Sequence, residues 1–219
     1  MPGLDFSPIA ERLPQFAAGA FQTIWLSIAS FIVALGFGLV LALARISRRK
    51  SVSRISRIVT DVLRGTPALV VVLLVYFGLP QFGLTLEAPV AGVLALGMNS
   101  GAYVGEIVRS GILSVDVGQM EAARSLGMAD SLAMRRIILP QALRVVVPPI
   151  TNEATTLVKG TSLLSVISIT ELTRVGQQIM GVTFRPIEAF LAVALVYLVL
   201  ISLLSQASIL LERRLSYPK

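Results

Sequence analysis

Two ionisable side chains, Glu153 and Lys159, lie in the otherwise apolar stretch from Val145 to Thr170. A charge near mid-membrane costs about 2.5–3.5 kcal/mol on insertion scales, so each needs a partner in water, on another helix or on a ligand. Six positions turn these two side chains about 120° apart on an ideal helix, which makes them poor partners for each other. A zwitterionic ligand would offer one charge to each. Structural ion pairs with other helices, or a position nearer the interface, are the alternatives.

Uncharged polar side chains accompany the two charges. Asn152, Thr155, Lys159 and Ser162 recur at helical spacing after Pro148 and Pro149, whose missing N–H donors predict a break in the helix. On the preceding apolar segment, Asn99, Ser100 and Tyr103 can form hydrogen bonds either with a ligand or with neighbouring backbone. The sequence leaves both possibilities open. The predicted substrate-binding set is Asn99, Ser100, Tyr103, Glu153, Thr156 and Lys159.

The elements that must position these residues are membrane helices. With 55% hydrophobic and 14% charged residues and a mean hydropathy of +0.82, the chain of 219 residues has too little polar surface for a soluble globule. Its apolar runs predict an all-α integral membrane protein with five transmembrane helices, as one domain over 1–219. These runs are Phe21–Ala44, Gly65–Leu86, Ala88–Gly105, Val145–Thr170 and Ala189–Leu211.

The net charge of +7 is concentrated in alternate loops. Basic residues cluster in the linker from Arg45 to Arg57, in the loop from Arg109 to Arg144 and at the C-terminus, which places those regions in the cytoplasm and the N-terminus outside. The linker has no aromatic residues for stacking on bases, so nucleic acid is not an expected partner. Attraction to anionic lipid is a compatible minor role. The acidic N-terminal stretch does not resemble a cleaved signal, so the first helix is expected to remain.

The chain lacks the residues that several classes of chemistry require. The chain has no cysteine and no histidine, which argues against disulfides, thiolate chemistry and most metal sites. It also lacks a glycine-rich phosphate loop with its lysine, so ATP hydrolysis would require another polypeptide. No catalytic cluster supports a membrane enzyme. A secondary carrier or channel using Glu106, Glu153 and Lys159 is the remaining alternative, although no inverted repeat is detected.

Gly97, Gly101 and Gly105 form overlapping small-xxx-small spacings on the third predicted helix. Such spacings allow another backbone to approach closely. A dimer interface and packing within the subunit are equally compatible with this pattern.

A polar loop at about 110–140 carries the most specific motif. Glu121-Ala122-Ala123 is followed by Gly127 after three residues, and then by Ile137 and Leu139-Pro140. Gly127 is expected to end a short helix, Gln119–Leu126, in a left-handed conformation. A solvated helix without a partner would share this geometry. The full pattern resembles the cytoplasmic coupling loop of permease subunits of ATP-driven (ABC) importers.

Further stretches resemble the polar amino-acid branch of these importers, including Arg64-Gly65-Thr66-Pro67, Gly118-Gln119 and Pro140-Gln141-Ala142-Leu143-Arg144. The resemblance implies the type I importer fold, a second permease subunit, identical or homologous, and two ATP-binding cassette subunits that hold ATP and Mg²⁺. It also implies an extracytoplasmic amino-acid-binding protein, a bacterial cytoplasmic membrane and no cofactor on this chain. The residues it assigns to ATPase coupling are Gln119, Glu121, Ala122, Ala123, Leu126 and Gly127.

One position departs from that branch. Gly160 stands where many members carry an acidic residue. Without a carboxylate there, a cationic amino acid loses a counter-charge, so neutral or acidic amino acids are favoured as substrates.

Overall fold

In the computed structural model, which describes residues 5–215, every regular element is helical. Its α-helices are α1 (Ser7–Ala10), α2 (Leu13–Ile46), α3 (Lys50–Gly65), α4 (Ala68–Leu73), α5 (Ala88–Leu113), α6 (Val117–Ser125), α7 (Asp130–Ala133), α8 (Leu139–Gly160), α9 (Leu172–Thr183) and α10 (Pro186–Leu215). Leu74–Gly78 and Met134–Ile138 are π-helical, whereas Leu79–Phe82 and Thr161–Ile167 form 3-10 turns. The predicted all-α architecture is confirmed.

Two of the described helices, Leu13–Ile46 and Pro186–Arg213, are long and apolar enough to cross a membrane. A third span results if Lys50–Gly65 and Ala68–Phe82 are counted together, although these two parts are bent by 108°. The 26-residue α5 and the 22-residue α8 have sufficient length, but they carry the polar side chains of the candidate site. The number of five transmembrane helices therefore stays a prediction.

The glycines of α5 face α2 within the same subunit. A Cβ atom at Gly101 would lie 3.1 Å from the carbonyl oxygen of Ala34, and one at Gly105 would lie 3.0 Å from that of Gly38. The two backbones are therefore close enough to require small residues. This contact accounts for the glycine spacing without a dimer interface.

The second apolar segment begins later than the sequence indicates. Gly65 is the last residue of α3, and α4 starts only at Ala68. Proline disfavours the α conformation in the residue before it, and Thr66, before Pro67, is extended with φ −101° and ψ 131°. The basic linker is itself a helix, held to α2 by a 2.9 Å hydrogen bond from Ser56 Oγ to the carbonyl of Leu41.

The predicted helix break at Pro148 and Pro149 is wrong, because α8 continues through both residues. The φ angle of proline is compatible with a helix, but each proline removes a hydrogen bond to the carbonyl four residues earlier and its ring crowds that carbonyl. Packing along α5 supports α8 across this point. The regular helix ends instead at Gly160, and the following 3-10 turn stops at Ser168, whose φ is 65°.

Candidate functional site

A cavity of about 550 Å³ lies where α3 meets α4, between α5 and α8. Its polar lining is Arg64 and Thr66 from the α3–α4 bend, Asn99, Ser100 and Tyr103 from α5, and Glu153 and Thr156 from α8. Five of the six residues predicted to bind substrate are thus brought together. The volume is within the range of small-molecule sites. Two slightly larger cavities, of about 610 and 620 Å³, contain none of the six.

The Glu153 carboxylate is the negative group of this cavity. It accepts a 2.8 Å hydrogen bond from Ser100 Oγ, which joins α8 to α5. Among the side chains described, those of residues 5–213, it forms no ion pair. Since a carboxylate has about four acceptor positions, most of its capacity is left for a ligand or water. The arrangement suits recognition of an ammonium group.

Asn99 and Tyr103 connect α5 to the end of α3. Asn99 Nδ2 donates to the carbonyl of Leu63 at 2.9 Å, and the Tyr103 hydroxyl donates to that of Arg64 at 3.2 Å. The sequence left open whether these side chains bind a ligand or neighbouring backbone. In the structure, a backbone carbonyl occupies one polar atom of each. Both side chains still line the cavity and keep the α3–α4 bend in place.

Arg64 is a site residue that the sequence prediction missed. Its guanidinium lies over the Tyr103 ring, 5.2 Å from the ring centroid, in a cation–π arrangement. It places a positive charge in the same cavity as Glu153. Its position directly before the Gly65-Thr66-Pro67 bend was the available signal, because a bend can turn the end of a helix toward its neighbours.

Lys159 is not brought together with the other five residues. Its side chain is exposed, and it is not part of the cavity lining. Thr156, one turn earlier on α8, does line the cavity, with its hydroxyl donating to the carbonyl of Asn152 at 3.2 Å. The cationic residue in this cavity lining is thus Arg64.

Gly160 also lines the cavity. A Cβ atom built there would meet its nearest neighbour, Leu96 Cδ2, at 3.9 Å, an ordinary contact distance. Its φ of −62° is compatible with any residue. The cavity therefore has room for a larger side chain at this position, and glycine leaves it without a second carboxylate.

The helix predicted at Gln119–Leu126 is present as α6, with the bounds Val117–Ser125. Asp116 caps its N-terminus by accepting a 2.6 Å hydrogen bond from the N–H of Gly118. At its other end Gly127 has φ 77°, while the N–H groups of Gly127 and Met128 donate to the carbonyls of Arg124 and Ala123. These bonds form a Schellman motif, which satisfies the last carbonyls of the helix. The left-handed Gly127 expected from the sequence is found.

Most of the predicted coupling residues are on the surface. Gln119, Glu121, Ala122, Leu126 and Gly127 are exposed, whereas Ala123 is buried within this subunit. Leu126 is 81% exposed and places an apolar side chain on this surface. The Arg124 guanidinium donates to Asp130 at 2.8 and 3.0 Å and lowers the pKa of that carboxyl. This ion pair joins α6 to α7 at the surface.

Comparisons with known proteins show which family and which proteins the chain resembles. A family described as "Binding-protein-dependent transport system inner membrane component" matches residues 34–217. The arginine transport system permease protein ArtQ of Bacillus subtilis (strain 168) is 37% identical over 97% of both chains. The glutamine transport system permease protein GlnP of Escherichia coli (strain K12) is 38% identical over 96% of this chain and 97% of its own. A crystal structure described as an amino acid ABC transporter with histidines has a TM-score of 0.92 and 40% identity, over 97% of this chain and 99% of the other.

Proposed function

The chain belongs to the family of binding-protein-dependent transport system inner membrane components, and on this premise we propose that the cavity between α5 and α8 binds an amino acid during import. The protein is the permease subunit of an ATP-driven amino-acid importer, and a separate ATPase hydrolyses the nucleotide. The family implies three kinds of partner: an ATPase, an extracytoplasmic substrate-binding protein and a second permease. We propose two copies of the ATPase, each holding ATP and Mg²⁺, and a cytoplasmic position for the C-terminus.

The opposite charges of the cavity carry the assignment of the substrate site. Glu153 faces it from α8, and Arg64 faces it from the α3–α4 bend. An amino acid has an ammonium and a carboxylate, so Glu153 can accept from the first and Arg64 can donate to the second. Ser100, Thr156, Asn99 and Tyr103 supply the uncharged groups. Lys159 remains a second candidate to bind the substrate carboxylate, in a conformation that brings its side chain to the translocation path.

The exposed face of α6 supports the coupling proposal. The helix α6 begins after the N-cap Asp116 and ends in a Schellman motif. With both ends satisfied in this way, an exposed helix keeps its shape when it docks against another protein. Ala122 offers little side chain, which permits close contact with a groove, and Leu126 offers an apolar anchor. We propose that these residues, with Gln119, Glu121 and Gly127, contact the ATPase. Ala123 supports them from inside the subunit.

The secondary carrier alternative has less support from the geometry. Glu106 is paired with Arg109 on α5 and is not part of the cavity lining. Lys159 is also outside this lining, so the structure does not bring Glu106, Glu153 and Lys159 together in one cavity. The α6 surface also has no role in a carrier that works without an ATPase.

Substitution of Gly160 tests the substrate assignment. Gly160→Asp is expected to raise uptake of arginine relative to glutamine by about tenfold, because the new carboxylate can pair with a cationic side chain inside the cavity. Competition between the two labelled amino acids measures the ratio. Gly181→Asp is the matched control, since Gly181 lies in α9 with open space around it and is not part of the cavity lining. If Gly160→Asp leaves the ratio of arginine to glutamine uptake unchanged, the cavity does not determine which amino acid is transported.

Single cysteines test the proposed orientation in the membrane. The chain has no native cysteine, and Ser51, Thr85 and Ser131 are exposed. Ser51→Cys and Ser131→Cys should be protected from an impermeant thiol reagent in intact cells, whereas Thr85→Cys should be labelled. Permeabilised cells provide the control, because all three should then react. Labelling of Ser51→Cys from outside would reverse the orientation.

A further inference from the structure

The helix α3 is strongly amphipathic and has two different exposed faces. The α3 basic face carries Lys50, Arg54 and Arg57, all exposed. The α3 apolar face carries Val52, Ile55, Ile58 and Val62, of which Ile55 is 63% exposed and Val62 59% exposed. Such a helix, charged on one side and apolar on another, typically lies in the plane of a membrane interface.

The path of the chain agrees with an interfacial position. The following apolar segment, Ala68–Phe82, is bent by 108° from α3, so the two cannot both run along the membrane normal. Ser53 Oγ donates to the carbonyl of Arg45 at 2.9 Å and fastens α3 beside the end of α2. These contacts hold α3 at the level where α2 leaves the apolar region.

The α3 basic face forms a concave site. Ser47, Lys50, Ser53, Arg54 and Arg57 line a cavity of about 270 Å³. Lys50, Arg54 and Arg57 form no ion pair with any residue in the described part of the chain. Asp61 lies one turn beyond Arg57 on α3 but outside this lining. Three exposed cations therefore surround one small cavity, and its lining contains no carboxylate to balance them.

We propose that α3 binds the phosphate of an anionic phospholipid headgroup in this cavity, while its apolar face lies among the acyl chains. Guanidinium groups and an ammonium match the charge and hydrogen-bonding capacity of a phosphate diester. The adjoining apolar face favours a lipid over a soluble phosphate, because only a lipid occupies both surfaces. Basic clusters next to a transmembrane helix are attracted to anionic lipid in this way.

The test is lipid retention by the purified transporter complex. The complex is released from vesicles of equal parts phosphatidylglycerol and phosphatidylcholine, and the bound lipid is identified by native mass spectrometry. The wild type should retain phosphatidylglycerol preferentially. Arg54→Gln and Arg57→Gln should each lower this preference about fivefold. Arg54→Lys and Arg57→Lys, which keep the charge, should retain most of it.

Arg213→Gln is the matched control, because Arg213 is an exposed arginine far along the chain in α10. If Arg213→Gln lowers phosphatidylglycerol retention as much as Arg57→Gln does, or if neither α3 variant changes it, the proposal fails. Displacement of the lipid by inorganic phosphate would show instead a site for soluble anions. Loss of the ATPase from the α3 variants, with lipid retention unchanged, would assign this surface to a protein partner.

Discussion

Replacement of Gly127 by aspartate is expected to abolish ATP-dependent uptake while leaving membrane insertion intact. Gly127 has φ 77°, a conformation that costs an ordinary residue about 1 kcal/mol or more. A Cβ atom at this position would meet no other group within 4 Å, so the strain acts through the turn alone. The turn sets how α6 ends and how Leu126 is presented. Either release of the ATPase on purification or loss of its stimulation by loaded binding protein should accompany the defect.

Gly83 provides a closely matched control for this variant. It has φ 80°, and a Cβ atom there also meets nothing within 4 Å, but it caps the 3-10 turn Leu79–Phe82 far from α6 in sequence. Gly83→Asp therefore imposes the same backbone strain and the same charge at another turn. It should keep ATPase binding and stimulation. Wild-type uptake and hydrolysis in Gly127→Asp would show that α6 is not the coupling element.

Glu153→Gln is expected to lower uptake at low substrate concentration by roughly ten- to a hundredfold. The change keeps the shape of the side chain and its hydrogen bond with Ser100, but it removes the charge that faces the cavity. Loss of a hydrogen bond to a charged group costs about 1.5–3 kcal/mol of recognition. Assembly with the ATPase should be unchanged. Uptake and melting temperature should be measured on the same purified complexes.

Glu87→Gln is the control for Glu153→Gln, because Glu87 is an exposed carboxylate at the start of α5. It should transport as the wild type does. A structural role for Glu153 would instead change the melting temperature and leave uptake intact, and that result would move the substrate elsewhere. Arg64→Gln and Lys159→Met, compared in the same assay, show which cation receives the substrate carboxylate.

Features encoded by neighbouring residues were predictable from the sequence. The end of α6 at a left-handed Gly127 follows from glycine's freedom at positive φ and from the spacing of the surrounding motif. The all-helical fold follows from apolar composition, because backbone groups in lipid must be satisfied within the helix. Neither inference requires knowledge of which helices contact each other.

Features that depend on tertiary packing were not predictable in the same way. The two prolines of α8 predicted a break, but α8 packs against α5 on both sides of them, at Val146 and at Glu153, and it stays helical. Lys159 and Arg64 are both isolated cations near apolar segments, and periodicity alone does not show which one faces Glu153. Their placement depends on the bend at Pro67 and on how α3 lies against α5. Residues from three distant segments therefore form the cavity.

Uptake of labelled amino acid into proteoliposomes tests the central claim most directly. The permease is reconstituted with its ATPase, with ATP and Mg²⁺ inside the vesicles, and the amino-acid-binding protein outside. Uptake should require both hydrolysable ATP and the binding protein, and should be lost in Gly127→Asp but not in Gly83→Asp. Uptake by the permease alone, driven by a proton or sodium gradient without the ATPase, would contradict an ATP-driven importer.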